Sequence, residues 1–133
     1  PSIVVTATED MLWAGLEMAS EDLNIPIPEF TVAGVPHGNF FAHEWFVATD
    51  DRVDATELAA VLDAHLKKLN DDYEVERNHA LKAVTARVLP EQVFLDFMKS
   101  KGKVGGQHKF PRVVKGKMLE DWNAFLKESV QLS

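Results

Sequence analysis

The chain of 133 residues contains no cysteine, which excludes disulfides, thiolate zinc sites and cysteine nucleophiles together. It has no apolar run near the roughly 20 residues that a membrane-crossing helix needs. The first stretch lacks a basic region and carries Glu9 and Asp10, so it does not read as a secretory signal. A cytoplasmic protein with no membrane partner is the simplest expectation. The chain starts at Pro1 rather than Met, as a fragment or a processed product would. Charge of one sign is also missing in places. Residues 1–51 hold no Lys or Arg, and no acid lies between Asp96 and Glu120. That second interval holds Lys99, Lys101, Lys103, Lys109, Arg112, Lys115 and Lys117, seven of the fourteen basic residues in a chain of net charge −7. So concentrated a basic stretch in an acidic protein points to a local anionic ligand rather than to general affinity for polyanions. A solvated charged loop is the plainer alternative.

Several catalytic signatures are absent as well. There is no GxSxG elbow to activate a serine, no HExxH and no Walker spacing. His37, His43, His65, His79 and His108 include no i, i+4 pair, so a metal site is not expected. His43 and Glu44 are neighbours in a β-rich run, where adjacent side chains point to opposite faces and cannot form a dyad. His65 reads as a structural residue on a helix flank. Trp13, Trp45 and Trp122 read as packing residues.

What is present is a pattern of alternating strands and helices. Ser2–Val5 is a short β-branched run that reads as a strand. Thr6 or Thr8 can cap a helix whose first turn holds Glu9 and Asp10 and whose buried face is Leu12, Leu16, Ala19 and Leu23. Asn24 and the Pro26/Pro28 pair end it. Phe30–Val35 and Phe41–Ala48 form a hairpin across Pro36-His37-Gly38-Asn39. Asp54 and Glu57 open a helix that buries Leu58, Leu62, Leu66 and Leu69. Residues 70–80 predict a short helix or turn around Tyr73 and Val75. Lys82–Leu89 is a strand with Val84, Ala86 and Val88 on one face. Pro90 opens a helix with the stripe Val93, Phe94, Phe97 and Met98, which Gly102 stops. Met118, Trp122, Phe125, Leu126 and Val130 mark a terminal amphipathic helix. The fold class is therefore α+β: one domain with a small mixed β-sheet that contains a hairpin, packed against about four helices.

The segment Lys101-Gly-Lys-Val-Gly-Gly-Gln-His-Lys-Phe-Pro-Arg112 carries the most chemistry. Gly102, Gly105 and Gly106 let backbone N–H groups approach a ligand closely. Lys109 offers a point charge, Arg112 a planar fork suited to phosphate oxygens, and Pro111 stiffens the chain between them. A phosphate-gripping loop and a flexible basic connector are both open on this pattern.

Three segments in order carry a family resemblance: Ala42-His-Glu-Trp-Phe-Val47, Leu69-Asn-Asp-Asp-Tyr-Glu-Val-Glu-Arg-Asn78, and Phe97 through Arg112. They resemble the C-terminal domain of the GH3 auxin-responsive promoter family, acyl acid–amido synthetases of the adenylate-forming superfamily. The likeness is good over residues 40–115 and loose over 1–30. It implies that residues 1–133 form the mobile lid domain of a ligase that conjugates a carboxylic acid to an amine or amino acid through an acyl-AMP. The large N-terminal domain, which would bind ATP with Mg2+ and most of the acyl group, is not in this chain, so the isolated domain should not be catalytically competent. By motif position the resemblance makes Lys109 the catalytic lysine, with Gln107, Arg112, Gly105 and Gly106 as nucleotide-binding residues. The implied partners are that N-terminal domain and the small-molecule acid and amine. The alternative is a non-catalytic module whose basic Gly-rich loop holds a polyanion or nucleic acid, and the net charge of −7 argues against nucleic acid. A third reading leaves the domain an interaction surface with Lys109 idle.

Overall fold

The computed structural model describes residues 9–102 and 110–132, with side chains to residue 129. The chain order is α1 (Glu9–Leu23), β1 (Glu29–His37), β2 (Phe40–Ala48), α2 (Ala55–Leu69), α3 (Asp71–His79), β3 (Leu81–Leu89), α4 (Glu91–Ser100) and α5 (Gly116–Leu132). The expected strand at Ser2–Val5 and the Thr6/Thr8 cap lie outside the described residues.

Helix α1 ends where Asn24 adopts φ 55°, a left-handed conformation that Asn tolerates better than most side chains. The Asn24 N–H then donates to the Glu21 carbonyl at 3.2 Å and the Ile25 N–H to the Ser20 carbonyl at 3.1 Å. This pair of bonds satisfies carbonyls that the last helical turn would otherwise leave open, and Ile25 is buried beside it. The hairpin is as expected and tight: His37 pairs with Phe40, and Gly38, with φ 63°, takes the first central position. A positive φ there matches the right-handed twist of the flanking strands. Pro36 and His37 belong to β1 rather than to the turn.

Asp54 caps α2 by accepting the Glu57 N–H at 3.0 Å. Asn70 ends α2 with its own N–H on the Leu66 carbonyl and starts α3 by accepting the Tyr73 N–H at 2.8 Å. Residues 70–80 therefore form a helix, and the described residues contain five helices where about four were expected. Leu69 is also a correction. It is 37% exposed at the last position of α2. Pro90 acts as the N-cap of α4 just ahead of the helix, and Gly102, at φ 76°, follows the C-cap and donates to the Lys99 carbonyl at 3.0 Å.

The sheet has the order β1-β2-β3, with β1 antiparallel and β2–β3 parallel. The parallel pair requires a crossover, supplied by α2 and α3. Strand β2 is central, and alternation along it sends side chains to two separate cores. His43, Trp45 and Val47 face a core closed by Leu12 and Leu16 of α1, Leu58, Leu62 and Leu66 of α2, and Tyr73 of α3. Phe46 and Ala48 face a second core closed by Phe94, Phe97 and Met98 of α4 and Trp122 and Leu126 of α5. Val84, Ala86 and Val88 share the first core's face, as their alternation implies. No helix among the described residues is long and apolar enough to cross a membrane.

Trp122 is the hub of the second core, with ring centroids of Phe110, Phe97, Phe94 and Phe46 between 4.9 and 5.7 Å away. Trp122→Ala should cost about 3–5 kcal/mol of stability, because a fully buried indole leaves a cavity its aromatic neighbours cannot fill. Urea unfolding of the isolated domain measures this, and a loss under 1 kcal/mol would show that the second core does not depend on it.

Candidate functional site

Four of the five site residues expected from the sequence, Lys109, Gln107, Gly105 and Gly106, fall outside the described residues. Arg112 and both roots of the basic segment are described, and these roots define the site. The first root is the end of α4. Phe97 is buried, the Ser100 hydroxyl donates to the Phe97 carbonyl at 2.6 Å, and Gly102 turns the chain out of the helix. The second root is Phe110, only 2% exposed, whose ring lies 5.8 Å from Phe97 and 4.9 Å from Trp122. Both ends of the segment therefore enter the same aromatic core.

After Phe110 the chain runs extended beside β1. The Val32 N–H donates to the Arg112 carbonyl and the Val114 N–H to the Val32 carbonyl, each at 2.9 Å, around a parallel bridge of Val32 with Val113. Val114 is buried. This stretch is thus built into the sheet margin, so the flexible-connector reading does not hold for residues 110–114.

Three cations of the basic interval are paired with two carboxylates that lie outside it. Lys101 and Lys117 both bond the Asp121 carboxylate of α5, Lys117 at 2.6 Å. Hydrogen bonds from Lys101 and then Lys117 hold the Asp121 carboxyl below its ordinary range, while the Asp121 carboxylate raises Lys117. Arg112 pairs with Glu29 through its Nη1, which also donates to the Phe30 carbonyl at 3.2 Å. Its guanidinium carbon lies 4.8 Å from the Phe30 ring centroid and 5.2 Å from that of Trp13. Trp13 was expected as a packing residue, and Glu29 was not singled out from the sequence. Glu29 stands 83 residues from Arg112, and no local spacing could have joined them.

The other resemblance segments have structural roles. His43 is fully buried, and neither ring nitrogen has a hydrogen-bond partner among the described residues. Burial, and then the nearby Arg77 charge, lower its pKa from 6.5 to about 4. Glu44 points to the opposite face of β2, as the alternation requires. In the second segment, the Tyr73 hydroxyl donates to Asp63 at 2.7 Å and Arg77 Nε donates to the same oxygen at 2.9 Å. Arg77 Nη1 continues to the Leu81 carbonyl at 2.6 Å. One carboxylate thereby ties α2, α3 and β3 together, and burial with the Asp63 hydrogen bond pushes the Tyr73 hydroxyl well above its ordinary value. His65 bonds Asp22 at 2.6 Å, linking α2 to α1. Among the described residues no group of three His, Asp or Glu could hold a metal ion. A cleft of about 360 Å³ between α2 and β3 has Asp63 and Arg77 in its wall. It belongs to the first core's layer and not to the roots of the basic segment.

Comparisons with known proteins meet this geometry at one point. A family model described as the GH3 family C-terminal domain matches residues 10–117. A solved structure of GH3.15 acyl acid amido synthetase superposes with a TM-score of 0.67 at 16% identity, covering 90% of this chain and 23% of the other. Another, of AtGH3.15 acyl acid amido synthetase in complex with 2,4-DB, gives a TM-score of 0.58 at 19% identity, covering 86% and 23%. At such identities these structures speak to the fold alone, and this chain spans about a quarter of their length. No curated protein matches.

The buried histidine has a measurable consequence. Between pH 6.5 and about 4 the unfolded chain binds a proton at His43 that the folded chain refuses, so stability is fully present above 6.5 and falls as pH drops. The loss between pH 7 and 5 should be on the order of 2 kcal/mol. Urea midpoints at the two pH values check it: His43→Met should flatten the difference, and an equal slope in the variant would rule His43 out as its source.

Proposed function

The chain belongs to the GH3 family, as one of its C-terminal domains, and we propose on that premise that it serves as the mobile domain of an ATP-dependent ligase. The ligase joins a carboxylic acid to an amine or amino acid in two steps. A carboxylate oxygen attacks the α-phosphorus of ATP, forming the acyl–phosphate bond and expelling pyrophosphate. The amine then attacks the acyl carbon, loses a proton and releases AMP, so that an amide bond replaces the mixed anhydride. The observation that carries this reading is the family match across residues 10–117, which spans the whole Gly-Gln-x-Lys-x-Pro-Arg segment. The fold likeness to two acyl acid amido synthetase structures supports it.

In this reading ATP and Mg2+ sit mainly on a separate N-terminal domain, and this chain supplies a cation. Lys109 neutralises the negative charge that gathers between the carboxylate and the α-phosphate in the first step. Gln107 and the N–H groups of Gly105 and Gly106 hold nucleotide oxygens. The roots suit that task, because both enter one aromatic core and so can move together when the domain moves. A general polyanion-binding module is less well supported: the chain carries a net charge of −7, and Lys101, Lys117 and Arg112 are already paired with Asp121 and Glu29.

In a full-length ligase carrying this domain, Lys109→Ala should lower pyrophosphate release with a panel of carboxylic acids by about 10²–10³-fold, the usual loss when one preorganised charge-stabilising group is removed. Equal rates in variant and parent would leave Lys109 without a catalytic part.

A further inference from the structure

The resemblance casts Arg112 as a nucleotide-holding fork, but its surroundings favour another role. We propose that Arg112 and Glu29 form a positioning clamp that sets where Lys109 is presented, an inference that rests on the adenylation reading above. Residue 112 is held to the first residues of β1 by both its backbone and its side chain. Its carbonyl accepts the Val32 N–H at 2.9 Å, while Nη1 bonds the Glu29 carboxylate and the Phe30 carbonyl. The guanidinium also lies over Trp13 and Phe30, which stack on each other at 5.3 Å and 12°. Phe30 in turn stacks on Trp45 of the central strand at 5.4 Å, so the clamp stands on the first core.

This setting is poor for holding a phosphate. The Glu29 carboxylate already cancels the guanidinium charge, and it would repel a phosphate brought to the same atoms. Withdrawing the guanidinium would forfeit a charge-assisted hydrogen bond and two aromatic contacts at a site where its side chain is only 18% exposed. The same setting suits positioning. Lys109 directly precedes Phe110 in the chain, and Phe110 is buried in the Trp122 cluster. Pro111, with its φ restricted, joins Phe110 to the clamped residue. Phe110 and Arg112 thus anchor the chain to the two opposite cores immediately after Lys109. A Lys at 112 would keep the charge but lose the planar stacking and the forked donors.

The test is made in a full-length ligase carrying this domain, with kcat and the KM for ATP measured separately through pyrophosphate release. Glu29→Gln and Arg112→Lys should each lower kcat about ten- to a hundredfold, as misplacement of a catalytic group does. The KM for ATP should change less than about twofold in both, because an interaction made only in the transition state is the one disturbed. The double variant should be no slower than the slower single one, since the two residues act as one unit. A raised KM for ATP with kcat intact in Arg112→Lys would overturn the clamp in favour of a nucleotide ligand. Unchanged kinetics in a Glu29→Gln protein whose unfolding midpoint matches the parent would overturn it too. Two controls run alongside separate the ideas: a parent protein that releases no pyrophosphate with any acid sinks the adenylation reading, full activity in Lys109→Ala removes the lysine the clamp would position, and loss in Lys109→Ala with Glu29→Gln unaffected sinks the clamp alone.

Discussion

Past its exposed start at Phe40, strand β2 is buried on both faces at nearly every position, and the arrangement of the domain follows from keeping it dry. From Ala42 to Ala48 only Glu44 is not fully buried. A strand of this kind needs a helical layer on each side and hydrogen-bonded neighbours on both edges. The hairpin supplies one edge through β1, and the α2–α3 crossover brings β3 to the other. Helices α1, α2 and α3 close one face, while α4 and α5 close the second. Because successive residues of β2 point to opposite sides, the two cores share a wall one residue thick.

That shared wall explains the placement of the basic segment. Its first root, Phe97, and its second root, Phe110, both join the Trp122 cluster on one face. Two residues later Arg112 reaches the Trp13–Phe30–Trp45 stack that belongs to the other face. The chain crosses the margin of the sheet there, beside β1, and its backbone bonds to Val32 as it does so. Under the proposed function such rigidity would matter, since a loosely rooted side chain would spread over many positions and lose catalytic effect.

Buried polar groups show where stability has been set against other demands. His43 is held neutral in the first core without a hydrogen bond among the described residues, which burial makes costly once acid can protonate it. The Asp63 carboxylate is the opposite case. Its Oδ1 accepts from Tyr73 and Arg77 and its Oδ2 faces Lys67 at 3.6 Å, so it organises three elements without leaving a bare charge.

Much of this was legible in the sequence because it is local. The apolar stripes of α1, α4 and α5, the turn at Gly38, the cap at Asp54 and the stop at Gly102 depend on residues within a few positions of one another, where periodicity and dihedral preference act. The motif around Lys109 was legible for the same reason, as a contiguous run of residue types. The sequence read less well where partners are distant. Leu69 continues the stripe of α2 yet is half out of the core, since only packing decides where a helix stops being covered. The polar run 70–80 fits a short helix or a turn, and Asn70, capping in both directions, makes Asp71–His79 a helix. The role of Arg112 lay furthest from view. Its residue type announces a fork for an anion, but which anion it grips is set by folding, which brings Glu29 to it from 83 positions away. Sequence by itself determined most of the elements and the residue types that the basic segment carries. The tertiary structure alone decided which of those charges are already spent on the protein's own carboxylates, because attraction between charges depends on distance in space and not on separation along the chain.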